Sequence, residues 1–289
     1  EELNEPWGPS KLAQGMGGAN EAVVFMSRQL VRRGYRVLVY GNPAEVDWGP
    51  DRAADPEEAG AEWYPFWWYD ESNAPDVFVI WWHHLDALTI GRNARARYLW
   101  FHYRQYPQRY TPAVAARFDG AFAMSEYHAL QMPDYALNKT IVSANGIDPA
   151  FFVDGPNHPA RFIYASHPFY GLATLLEAWP EILRRVEGAT LHVYYGWTPG
   201  MIRFIQNQGE RGAAFKLKID TLLNSTGVVN HGMVGQRELS VALSESGFYL
   251  YPCEIAEISS ISLMRAQAMG AIPVTSRHLD SALPETAGT

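Results

Sequence analysis

The sequence predicts an α/β fold of two Rossmann-like, doubly wound parallel-sheet domains facing a cleft, and three observations carry that prediction. Strand-like and helix-like runs alternate along almost all of the 289 residues, as repeated βα units do. The strand-like runs are short, apolar and bounded by turn signals, which suits parallel strands buried on both faces. A stretch containing proline and glycine, NGIDPAFFVDGPNHP at 145–159, divides the runs into two series and reads as a hinge.

The first series opens with GANEAVVFMSRQLVRRG, a helix in which Val23, Met26 and Leu30 share one face and Gly34 stands where a C-terminal cap belongs. RVLVY follows as a strand, and the acidic stretch AEVDWGPDRAADPEEAGAEW is expected to be an exposed loop or a short irregular segment. DVFVIWW, RYLWFHY and GAFAMS are the next strands. In the second series RFIYAS, LHVYYG, GVVNHG, FYLYP and IPVTS are strands. Helices come from LATLLEAWPEILRRV, FKLKIDTLLNS, QRELSVALSES and the run that ends in MRAQAMG. The expected domains are residues 1–155 and 156–289. Ligands in such sheets sit outside the carboxyl ends of the strands.

Bulk properties narrow the function. A composition 47% hydrophobic and 19% charged leaves ample apolar surface for two domains. The net charge of −8 argues against a duplex nucleic-acid partner, which calls for a basic face. The single cysteine, Cys253, excludes an internal disulfide and suits a reducing compartment. With no long apolar run and no leader, the expected location is the cytoplasm, a membrane association being left open. Because the chain starts at EELNEP and stops at ETAGT, it is expected to be part of a longer protein.

Several residues are candidates for chemistry. The loop QGMGGAN, with Gly15, Gly17 and Gly18, lets backbone N–H groups approach an oxyanion at a helix N-terminus, although an unliganded tight turn has the same composition. His102 ends an apolar strand and could exchange a proton with a substrate hydroxyl, or serve as a structural histidine. His83 and His84 are adjacent, point to opposite faces of a strand and cannot share a site. The junction YPCEIAEISSIS places Glu254 and Glu257 just past a strand, where carboxylates could accept from sugar hydroxyls. The amides of Ser259 and Ser260 that open the next helix could hold a phosphate. Alternatively, Glu257 only complements the helix N-terminus. No HExxH, CxxC or Asp-x-Asp pattern occurs, so no metal site is expected.

In combination these segments resemble the GT-B glycosyltransferases, most closely the retaining, family-4-like group. GMGGANEAVVFMSRQLVRRGYRVLVY is similar to that family's glycine loop, first helix and second strand, and SANGIDPAFF to its entry into the second domain. YGLATLLEAWPEI with TLHVYYG resembles the first βαβ unit of the donor domain. NHGMVGQRELSVALSES is similar to its G-x-[VL]-x-x-x-E-L stretch, and EISSISLMRAQAMGAIPVTS to its E-x7-E segment and the strand after it.

The resemblance implies transfer of a sugar from a nucleotide-sugar donor, such as a UDP- or GDP-sugar, to a glycan or other hydroxyl acceptor, by a hexosyl- or pentosyltransferase needing no further cofactor. It implies that a strand before Gly15 and a C-terminal segment lie outside this chain. It assigns Glu257 to the donor sugar, Ser259 and Ser260 to the diphosphate, Gly17 and Gly18 to an acceptor-side loop, and His102 to the acceptor edge. Closure about 145–159 would assemble these groups.

Two positions depart from the family pattern. Arg265 replaces the second glutamate of E-x7-E, and an arginine cannot accept from ribose hydroxyls; it could instead reach the diphosphate. In ASHPFYG the family's Arg and Lys are missing and Tyr170 stands at the Lys position, leaving Ser166 and Tyr170 as the substrate-binding candidates there. A degenerate nucleotide- or sugar-binding pseudoenzyme would also explain both departures. A sugar-phosphate isomerase shares the architecture, and a dehydrogenase is disfavoured by Asn20 where a third glycine would stand. The aromatic stretch EWYPFWWYD at 62–70 is the candidate for acceptor recognition, or else a half-buried aromatic cluster.

Overall fold

The computed structural model describes residues 5–51, 60–81, 88–103, 110–277 and 281–288; His83 and His84 lie outside them. The chain forms two compact units. One comprises Glu1–Trp67, Ile147–Glu254 and Ser262–Ser276, the other Trp68–Gly146, Ile255–Ile261 and Arg277–Thr289.

In chain order the first elements are α1 (Gly18–Arg32), β1 (Leu38–Gly41), β2 (Gly49–Pro50) and β3 (Glu62–Pro65). Next come β4 (Val77–Trp81), β5 (Ala96–Trp100), α2 (Pro112–Ala115), β6 (Gly120–Ala123), α3 (Glu126–Leu130), α4 (Asp134–Leu137) and β7 (Thr140–Val142). The second half holds β8 (His158–Ala165), α5 (Leu172–Arg185), β9 (Thr190–Tyr194), α6 (Pro199–Asn207), α7 (Gly209–Leu222) and β10 (Val228–Gly232). It ends with α8 (Gln236–Glu245), β11 (Ser246–Tyr251), α9 (Ile261–Ala268), β12 (Ile272–Thr275) and α10 (Leu283–Ala287).

The first unit carries a five-stranded, wholly parallel sheet of order β10-β9-β8-β11-β12, as the alternating pattern predicts. Its central strands are apolar on both faces, with Ile163, Leu191 and Tyr249 fully buried. Helix α5 covers one face because Leu172, Leu175, Leu176 and Trp179 recur at i, i+3, i+4 and i+7 and are all buried. Trp179 also donates its indole N–H to the Thr226 carbonyl at 2.9 Å. A smaller sheet of the same unit pairs β1 with β3 in parallel and β2 with β3 antiparallel. In the second unit β4-β5-β6-β7 form a parallel sheet. One face packs into a core of Ile80, Leu99, Phe101, Phe118, Ala121 and Met132. Buried Arg97 donates to the carbonyls of Ile90, Leu88 and Arg117 and lies 4.4 Å over the Phe118 ring.

Two expectations are corrected. The stretch 44–63 is not all loop: β3 starts at Glu62, its buried Trp63 and Pro65 alternating with half-exposed neighbours, too short a run for a periodic signal. The face of α1 is also different. Its buried residues are Glu21, Val24 and Ser27, while Met26 is 38% exposed. An apolar-pattern reading could not choose that face, because a carboxylate lies on it. Among the described residues no helix is long and apolar enough to cross a membrane.

Replacing Trp179 by alanine should cost about 3–5 kcal/mol of unfolding free energy, through the cavity left under α5 and the orphaned Thr226 carbonyl. Urea denaturation of the variant against the parent measures it.

Candidate functional site

In the first unit the carboxyl ends of β8, β9 and β10 and the start of α8 border a cavity of about 40 Å³, with Gly15, Met16, Tyr195, Met233, Val234 and Gln236 on its wall. The glycine loop closes it. Gly15 has φ +92°, and a Cβ there would stand 2.3 Å from the Val234 carbonyl oxygen, so the close approach depends on glycine. Tyr195 is held at φ +106°, which a bulky side chain rarely adopts, while its N–H donates to the Gly232 carbonyl at 2.8 Å.

Behind this wall lies a buried polar network. Glu21 on α1 pairs with Arg265 on α9, the side chains 4% and 5% exposed. The other carboxylate oxygen of Glu21 accepts from Gln236 Nε2 at 2.7 Å. Burial pushes the Glu21 carboxyl above its ordinary range, and Arg265 opposes that push through charge and a hydrogen bond. Arg265 is thus neutralised by the chain's own carboxylate.

The remaining sequence-selected residues fall as follows. Gly17 is the N-cap of α1, its carbonyl accepting from Glu21 N at 3.0 Å, and a Cβ on it would lie 3.8 Å from the Tyr195 hydroxyl; Gly18 is the first helical residue. Ser166, just after β8, is buried, and Tyr170 stacks on His167 with ring centroids 4.8 Å apart. Glu254 accepts a hydrogen bond from Thr174 at the surface.

In the second unit Glu257 Oε1 accepts from Ile258 N at 3.0 Å and Ser259 N at 3.4 Å, so the carboxylate turns back on its own segment. Ser259 Oγ accepts from Asn145 Nδ2 at 3.0 Å, Ser260 is buried, and α9 starts only at Ile261. His102 packs its ring against Trp81 and Trp100, and burial holds it neutral, its pKa lowered to about 3. The neighbouring His128 accepts from Met124 N at 3.1 Å and is likewise lowered by burial, to about 4. Of the aromatic stretch, Trp63 is fully buried, whereas Phe66, Trp67 and Trp68 are exposed.

Sequence reasoning singled out Arg265 but missed its partners Glu21 and Gln236, and it missed Tyr195. Only His167 carried a signal, as the one histidine in ASHPFYG. It too is lowered to about 4 by burial, and its Nδ1 accepts from Phe169 N at 3.2 Å. Among the described residues no group of three or more His, Cys, Asp or Glu side chains is placed to hold a metal ion.

Neither a protein-family profile nor a curated protein sequence matches the chain. Solved structures do. Sucrose-phosphate synthase from Thermosynechococcus elongatus superposes with a TM-score of 0.70 at 15% identity, over 95% of this chain and 80% of that one. HepE from Anabaena, in complex with UDP and glucose, gives 0.65 at 13% identity over 91% and 78%. The lipopolysaccharide outer core galactosyltransferase WaaB in its apo form gives 0.55 at 13% identity over 93% and 79%.

The fold is GT-B. Within this GT-B chain, Arg265 is bound internally and the glycine loop rests on the β10–α8 turn.

Two outcomes follow from the buried groups. Arg265→Ala leaves Glu21 buried without its cation and should cost about 3–5 kcal/mol, whereas the double variant Glu21→Leu/Arg265→Met should cost less than either single truncation. Urea unfolding of the set measures the difference. The folded-state pKa values of His102, His128 and His167 lie below the unfolded one, so the unfolded chain binds more protons in between. Stability should therefore be complete above about pH 6.5 and fall as the pH drops toward 4. His102→Phe should flatten that slope in thermal unfolding recorded across the range.

Proposed function

We propose that the chain is a nucleotide-sugar-dependent glycosyltransferase. It moves a hexosyl or pentosyl group from a nucleoside diphosphate sugar to the hydroxyl of a glycan or other acceptor, with retention at the anomeric carbon and without a metal. The observation that carries the reading is the likeness of the fold to HepE, solved in complex with UDP-glucose and with UDP and glucose. The cavity at the carboxyl ends of β8, β9 and β10 supports it, being where open parallel sheets take ligands.

The chemistry asked of the protein is electrostatic. As the bond from the anomeric carbon to the diphosphate breaks, negative charge grows on the departing oxygen, which can take the proton of the acceptor hydroxyl. Donors aimed at that oxygen lower the barrier. Glu257 is assigned to the donor sugar's hydroxyls, and the amides of Ser259 and Ser260 to the diphosphate. Gly17 and Gly18 are assigned to the loop on the acceptor side. Ser166, Tyr170 and Glu254 remain substrate contacts in this reading. Arg265 can reach phosphate only by exchanging Glu21 for it, which makes the anion of the substrate a competitor of the buried carboxylate. His102, neutral and weakly basic, is suited to hydrogen-bond an acceptor rather than to deprotonate it. A cytoplasmic setting suits the buried thiol of Cys253.

The test is thermal unfolding against UDP-, GDP- and ADP-sugars, for the parent and Glu257→Ala, followed by analysis of released nucleotide with and without acceptor. A donor at about 100 times its dissociation constant should stabilise by about 2.7 kcal/mol, and Glu257→Ala should lose most of that. Absence of a shift with every donor would remove the proposal.

A further inference from the structure

The side-chain amide of Gln236 has its orientation set from one side. Its Nε2 donates to Glu21 Oε2 at 2.7 Å, while Arg265 occupies the other oxygen of that carboxylate. A carboxylate held in an ion pair only accepts, so the NH2 end of the amide faces it and the carbonyl end faces away. That carbonyl oxygen, Oε1, is buried and has no hydrogen-bond partner among the described residues. Gln236 is 4% exposed and lines the cavity bordered by Gly15, Tyr194, Tyr195 and Met233. Buried acceptors are nearly always satisfied, so one left unmatched on a residue that lines a cavity marks a place where a ligand donor belongs.

We propose that Gln236 Oε1 reads the base of the donor nucleotide by accepting the ring N3–H of uracil. This rests on the reading that the chain binds a nucleoside diphosphate sugar, and it names the base. Among the described residues the wall offers a single oriented side-chain amide, no carboxylate and no cation. Guanine presents a ring N–H and an amine together, which calls for two acceptors side by side. Adenine and cytosine present an amine beside a bare ring nitrogen, which calls for an acceptor next to a donor. Uracil presents one N–H between two carbonyls, and a phenol such as that of Tyr195 can donate to a carbonyl while one amide oxygen takes the N–H. At about 40 Å³ the cavity is smaller than a pyrimidine, so the ring enters as the Gly15–Met16 loop withdraws from Val234. The glycine at φ +92° and the strained Tyr195 stand at the place that has to change.

The test is a calorimetric cycle using UDP and UDP methylated at N3, on the parent chain and on Gln236→Ala, which leaves room for the methyl group. In the parent, methylation should weaken binding roughly 10- to 100-fold, since it removes the donor and leaves Oε1 unsatisfied. In Gln236→Ala, UDP should lose a similar factor and the two ligands should bind within about threefold of each other. An undiminished methyl penalty in Gln236→Ala, or none in the parent, overturns the assignment of Gln236. A parent that binds GDP or ADP more tightly than UDP overturns the choice of base while leaving nucleotide binding intact. If no nucleoside diphosphate binds the parent, the functional reading fails and takes this one with it. Should Gln236→Ala not fold, the parent's methyl penalty and its ranking of UDP, GDP, ADP and CDP still decide the question.

Discussion

A buried ion pair with an amide attached organises the first unit. Glu21 and Arg265 lie 244 positions apart in sequence, and Glu21 and Gln236 lie 215 apart, so three helices far separated along the chain meet in one polar contact. Removing two charges from water is expensive, and their mutual attraction offsets that cost only if every remaining lone pair and proton is also matched. Glu21 meets the condition, with one oxygen for the guanidinium and one for the amide. The arrangement tolerates little displacement of α1 relative to α8 and α9, because a carboxylate left alone at that depth would have to take a proton. An apolar cluster of the same volume would slide more readily; this contact sets a position.

The consequences run outward to the surface of the unit. With α1 held by Glu21, its N-terminus and the preceding glycine loop come down on the β10–α8 turn so closely that Gly15 has no room for a side chain. The same closeness shapes the cavity. It is bounded by a loop that glycine makes possible, a tyrosine in a conformation that costs energy and an amide whose free end is fixed by its bound end. Strain and an unmatched acceptor in one place are costs that the surrounding packing sustains, and such costs tend to accumulate where a ligand later relieves them.

The second unit solves a similar problem without a carboxylate. Arg97 enters the core, where its two terminal nitrogens donate to three main-chain carbonyls and the guanidinium lies over the face of Phe118, while its buried Nε has no hydrogen-bond partner among the described residues. Its histidines are accommodated the other way, by remaining neutral: His128 accepts from a backbone amide and His102 packs between tryptophans. A histidine at the end of a strand therefore differs from a general base by its surroundings alone, and desolvation is the term that separates the two.

What the sequence by itself determined is the order of βα units, the parallel sheets and the stripe of α5, because these follow from local periodicity and from turn residues that act over a few positions. Arg265 was also legible as an anomaly, an arginine where the resembled pattern has a glutamate. Its meaning was not. Whether that guanidinium faces a phosphate or a carboxylate depends on Glu21, which no local signal connects to it, and which even misdirected the choice of the buried face of α1. The four residues of β3 escaped for the opposite reason, being too few to show a period. Tyr195 reads as an ordinary strand aromatic until its backbone angle is known. The tertiary structure alone decided which polar groups meet, because burial and pairing of charge are properties of distant segments brought into contact.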